Sequence, residues 1–126
     1  MLLDNIEKGC NCLKKHIDNQ NEIYLIVDPD ADGYTSSALF YNYLTEVLDY
    51  SPDKIIYHIP EGKEHGLSTI MEWFSDNGTD KLIILPDSSS NDYDEHKELK
   101  ERGYDIIILD HHEAPHYSEN AITINN

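Results

Sequence analysis

Apolar residues recur along this chain in two rhythms. Leu2, Leu3, Ile6, Cys10, Leu13 and Ile17 stand three and four apart, which predicts a helix over residues 2–17. Short continuous apolar runs then appear at 23–27 (IYLIV), 54–59 (KIIYHI), 81–85 (KLIIL) and 105–109 (DIIIL). Each run is rich in β-branched or aromatic residues and too short for a helix, so each predicts a buried strand. Helical patterns fill the intervals over 38–48, 67–74 and 93–102, the last closed by Gly103, and residues 121–124 can begin a fifth strand. Strands that alternate with helices predict an α/β fold: a parallel β-sheet with helices on both faces, in three α/β/α layers.

The polar residues that stop the strands carry the candidate chemistry. The first run ends in Asp28, Asp30 and Asp32, two apart, with Gly33 read as a sharp turn. The third runs out into Asp87 and Ser88, and the fourth into Asp110, His111 and His112. In a parallel sheet these C-terminal ends share one edge, where open α/β sheets build their sites. Any one Asp at a strand end can be a turn former or a helix N-cap; three such clusters on one edge predict convergence. Carboxylates that close repel one another unless a cation sits among them. Oxygen ligands with an imidazole suit manganese or magnesium better than zinc, and the number of ligands allows two ions about 3.5–4 Å apart. Adjacent His111 and His112 point to opposite sides if the strand continues through them, one toward metal and one toward substrate phosphate.

Composition narrows the field. Nine basic against 25 acidic residues give a net charge of −16 over 126 residues, which opposes a free-standing nucleic-acid groove and fits divalent cations. Two cysteines, Cys10 and Cys12, are too few for a disulfide framework or zinc ribbon, so a cytoplasmic setting is expected. No apolar stretch is long enough to span a membrane. Asp28-x-Asp30-x-Asp32-Gly33 copies half of a calcium loop, yet Leu39 stands where that loop needs Glu and a strand precedes it. A phosphate-binding glycine loop fails for want of further glycines and a Lys. A receiver domain has no use for paired histidines. Tyr24, Tyr43 and Tyr57 are expected in the core and Tyr34 at the edge of the site. His16, His58, His65 and His96 are expected to be structural, and Trp73 and Phe74 to pack a short helix on the sheet.

With VDPDADGYTSS, LPDSSSND and ILDHHEA in that order, residues 22–126 resemble the DHH phosphoesterase family, in particular its RecJ-type single-strand-specific exonuclease branch. The loop IPEGKEHGL is similar to one found between the first two motifs in that branch. The resemblance implies that Asp30, Asp32, Asp87 and His111 or its neighbour hold two Mn2+ or Mg2+ ions, with Asp28 as an additional acidic ligand. It implies phosphodiester hydrolysis by a metal-bridged hydroxide, with Asp110, His111 and His112 catalytic and with Tyr34, Ser88 and His112 facing substrate. Ile26 stands where pyrophosphatase-like members carry a His. The implied substrates are single-stranded nucleic acid, short oligonucleotides or cyclic dinucleotides. Two departures stand out: Ser88, Ser89 and Ser90 replace a usual glycine after Asp87, and this sequence stops before the family's fourth Asp and without its C-terminal companion domain. The expectation is therefore the N-terminal part of a DHH domain, with residues 1–21 as leading helix and loop and 22–126 as the motif-bearing core. The rival is a non-catalytic metal-binding or interaction domain. An exposed sheet edge predicts self-association.

Overall fold

The computed structural model describes residues 2–59, 67, 68, 70–110 and 116–125. Five parallel strands, β1 (Glu22–Ile26), β2 (Ile55–His58), β3 (Lys81–Pro86), β4 (Asp105–Asp110) and β5 (Ile122–Asn125), form one sheet in the order β2-β1-β3-β4-β5. Successive side chains of a strand face opposite ways, and here both faces are apolar. Ile23, Leu25, Leu82, Ile84 and Ile107 lie on one face with Leu44 and Tyr50. Leu13 and Ile17 of α1 (Leu2–Asp18) and Phe40 of α2 (Ala31–Asn42) pack against the same layer. Ile26, Ile83, Leu85, Ile106 and Ile108 line the other face, covered by Leu67, Ile70, Phe74, Leu99 and Tyr104. Leu99 belongs to α3 (Tyr93–Glu101). Burying each such side chain contributes about 1.5–3 kcal/mol. The layered α/β/α reading stands, and α1 is part of the sandwich: Asn5 Nδ2 donates to Thr123 O of β5 at 2.7 Å.

Three local expectations are corrected. The helix expected from residue 38 begins at Ala31, because Asp30 caps it: extended at φ −140°, it accepts the Gly33 amide on Oδ1 at 2.6 Å. Gly33 is thus a buried helical residue, not a turn. Past Asn42 the helix widens into a π turn, Tyr43–Val47, in which Leu48 N reaches Tyr43 O at 3.0 Å. The helix expected over 67–74 reduces, among the described residues, to one 3-10 turn, Met71–Trp73. Its carbonyls are served from outside, since the Arg102 guanidinium donates to Met71 O and Phe74 O, and Leu67, Ile70 and Phe74 are all buried.

The tyrosines divide differently from expectation. Tyr24 is half-buried, with its ring edge-on to those of Trp73, Phe74 and Tyr104. Tyr43 and Tyr57 are 44% and 60% exposed, not core residues; among the described residues β2 is an outer strand, with no further strand beside Tyr57. Phe74 is buried as expected, while Trp73 stays 38% exposed with its ring 4.7 Å from that of His58.

Candidate metal centre

The β1 pairing continues one residue past the strand, where Val27 N donates to His58 O at 2.9 Å, and this delivers Asp28 to the sheet edge, 3% exposed. Asp30 N turns back to Asp28 O at 2.9 Å, so the two carboxylates are set by a tight backbone step. On the neighbouring strand, Asp87 follows Pro86 with φ +69°, its amide bonded to Leu109 O of β4. Asp28, Asp30 and Asp87 then offer oxygens that all lie within 4.8 Å of one another; Asp28 and Asp87 are buried and Asp30 is more open. Two like charges at that distance repel by about 3 kcal/mol at an effective dielectric of 20. A cation among them reverses that sign. The donors are all hard carboxylate oxygens, which fits Mn2+ or Mg2+ and argues against a soft-ligand site.

The other expected site residues fall into separate places. Asp32 is exposed in the first turn of α2, and Asp110 is buried at the end of β4; neither joins the group of three. Asp110 Oδ2 instead accepts Ser90 N at 3.2 Å, which ties the loop after β3 to the end of β4. Tyr34 is 48% exposed on α2, and Ser88 is 6% exposed with its Oγ unpartnered among the described residues. His111, His112 and the loop over 60–66 lie outside the described residues.

A second group, Cys12, His16 and Asp105, also lies within 4.8 Å, at the opposite edge of the sheet where β4 begins. Its carboxylate is already engaged: Asp105 is met by Lys100 Nζ at 2.7 Å and Lys15 Nζ at 2.9 Å, and shares a hydrogen bond of 2.7 Å with His16 Nε2. The His16 hydrogen bond, against the opposing effect of burial and with Lys100 and Lys15 assisting, holds the Asp105 carboxyl far below its usual range. Burial, with Asp105 nearby, pushes the Cys12 thiol up. This group fastens α1 to the sheet, so His16 is structural as expected.

The DHH family, N-terminal domain, matches residues 22–126. The chain belongs to the DHH family. It is 42% identical over 126 residues to Bacillus subtilis (strain 168) YorK, an SPbeta prophage-derived protein whose name gives single-strand DNA-specific exonuclease activity provisionally. It is 33% identical over 113 residues to the single-stranded-DNA-specific exonuclease RecJ of Haemophilus influenzae. The alignments cover 98% and 87% of this chain but 20% and 19% of those proteins, so the chain spans about a fifth of their length. RecJ from Thermus thermophilus, solved in complex with Mn2+, superposes with a TM-score of 0.71 at 22% identity, over 96% of this chain and 17% of that one, a likeness of fold.

Within this DHH chain the loop after β3 holds residues that the sequence pattern did not single out. Asp92 Oδ2 accepts both Ser89 Oγ at 2.6 Å and Leu67 N at 2.9 Å, and His96 Nε2 lies 3.3 Å from Ser89 Oγ. His96 is fully buried, and burial pushes its pKa below the ordinary histidine value against the opposing charge of Asp92. The Ser-x-x-Asp spacing at 89–92 was the available signal. Ser89, like Asp87, is left-handed, with φ +81°. Serine therefore occupies backbone that glycine adopts freely, at about 1–2 kcal/mol, and the Ser89–Asp92–His96 bonds hold it there.

Proposed function

We propose that this chain carries the metal-binding part of a phosphodiester hydrolase that removes nucleotides from single-stranded nucleic acid or short oligonucleotides. The observation that carries the reading is the meeting of Asp28, Asp30 and Asp87, from two adjacent strand ends, within 4.8 Å. The exonuclease names of YorK and RecJ support the substrate class, and the manganese in the RecJ structures supports the ion. In this reading Asp28, Asp30 and Asp87 would hold Mn2+ or Mg2+, with His111 as a further ligand. Bound there, the ions supply positive charge against the phosphate and acidify water into a nucleophile at neutral pH.

The protein's own groups do the positioning. Asp110 holds the Ser90 amide and so fixes the loop that bears Asp87. The N-terminus of α2, as the positive end of the helix dipole, favours a phosphate beside Asp30. In this reading the Ser88 hydroxyl and the exposed Tyr34 ring meet substrate, and His112 orients or protonates the phosphate.

Calorimetric titration with Mn2+, beside Asp28→Asn and Asp87→Asn, tests the site. Binding that falls at least tenfold in both variants is expected, together with loss of Mn2+-dependent release of nucleotides from labelled single-stranded DNA. Unchanged Mn2+ affinity in both variants overturns the reading.

A further inference from the structure

On the β2 side of β1, between α2 and the strands, lies a cavity of about 390 Å3. That lies within the range of small-molecule pockets, roughly 300–1,000 Å3. Val27, Tyr34, Ser37, Tyr41, Tyr57 and Ile59 shape it, and among the described residues none that lines it is charged. The cavity adjoins the metal centre along the chain: Val27 immediately precedes Asp28, and Tyr34 stands on the helix that Asp30 caps. Tyr34 and Tyr57 present exposed rings, and the Tyr57 ring meets that of Tyr41 edge to face at 6.5 Å.

An independent observation points to a ligand. Ser37 is 3% exposed, lines the cavity, and its Oγ has no hydrogen-bond partner among the described residues. A buried hydroxyl in that state costs about 1–3 kcal/mol, recovered by a ligand that brings a polar edge to it.

We propose that this cavity is a nucleobase subsite, holding the base of the nucleotide whose phosphate meets Asp28, Asp30 and Asp87. The inference rests on the proposed function and extends it to recognition of the substrate. The described walls, apolar and aromatic with a few neutral polar groups, suit the one part of a nucleotide that is flat, neutral and polar at its rim. Stacking of bases on aromatic side chains tolerates any base, and the Ser37 hydroxyl supplies a hydrogen-bond partner for the base edge. The charge balance favours the same occupant. This stretch, of net charge −16, repels nucleic acid at long range, so what it contributes to binding comes through bound cations and uncharged contacts.

The test uses the full chain without metal, titrated with deoxyadenosine and, as a control lacking a base, 2-deoxyribose, and followed by saturation-transfer NMR. Deoxyadenosine is expected to bind through its base protons while deoxyribose does not. Tyr57→Ala, at an exposed ring that the fold does not need, should weaken binding about tenfold. Ser37→Ala should weaken it several-fold, and both variants should keep the wild-type Mn2+ isotherm. Failure of deoxyadenosine to bind, or wild-type affinity in both variants, overturns the subsite. If Mn2+ binding survives that failure, the hydrolase reading stands without it. If the wild-type chain instead sediments as a dimer that Tyr57→Ala dissociates, and binds no nucleoside, the cavity belongs to a second copy and the proposal fails.

Discussion

Replacing Gly33 by alanine puts two physical effects in direct opposition. Helix propensity favours the change: Gly33 lies inside α2, and Gly→Ala in a helix interior stabilises by about 1 kcal/mol. Packing opposes it. A Cβ at residue 33 would stand 2.2 Å from Asp28 O, 2.6 Å from Asp28 Cβ and 2.8 Å from Asp28 C. Two of these three atoms are backbone, at the end of a strand that pairs on both sides, so no rotamer change relieves the clash. The start of α2 must retreat by roughly 1 Å, at an overpacking cost of about 1–3 kcal/mol. The retreat also strains the Gly33 N to Asp30 Oδ1 cap, worth about 1 kcal/mol. The net expectation is a loss of about 1–3 kcal/mol in urea unfolding. Because Asp28 and Asp30 are both displaced, Mn2+ affinity by calorimetry should fall more than tenfold. A Gly33→Ala chain as stable as the wild type, with an unchanged Mn2+ isotherm, would refute the argument that this glycine exists for the close approach of helix to strand.

Three further expectations follow from other parts of the fold. Ser89→Gly should be more stable than Ser89→Ala by about 1–2 kcal/mol in urea midpoints, since both lose the hydroxyl and only alanine keeps the left-handed strain at φ +81°; equal midpoints would show that the loop relaxes. The Asp105 carboxyl, held low chiefly by His16, stays ionised in the folded chain where the unfolded chain takes up a proton. Its contribution is therefore complete above about pH 5 and drains away as pH falls below about 4, and Asp105→Asn should flatten that acid limb in thermal melts. Buried His96 remains neutral where the unfolded chain protonates, so stability should decline as pH drops from about 7 toward 5; His96→Gln should remove that slope and leave the Asp105 limb in place.

The sheet was legible because β1, β3 and β4 are apolar on both faces, and only a strand covered on both sides reads as a short continuous run. The convergence of Asp28 and Asp87 was legible for a related reason: parallel strands bring their C-terminal ends to one edge whatever the loops do. The start of α2 was not. Asp-Ala-Asp-Gly reads locally as a turn, and only the cap bond from Gly33 N to Asp30 shows that the helix has already begun, which carries Asp32 out to the surface. Tyr57 looked like core because alternation along a strand does not reveal whether that strand ends up central or outermost. The partner of His16 was hidden by distance along the chain, since Asp105 lies 89 residues away.

Asp30 answers to two masters, and this changes how substitutions in such chains should be weighed. One of its oxygens closes the first turn of α2, while the residue also stands among the acidic group of the candidate centre. Asparagine there preserves the helix start and removes the charge; alanine removes both. A chain of this fold without catalytic activity would still be under pressure to keep a capping side chain at this position. Aspartate at 30 is accordingly a poor witness to activity. Asp28 and Asp87 make the better diagnostic pair, because neither starts a helix and both are buried within the acidic group.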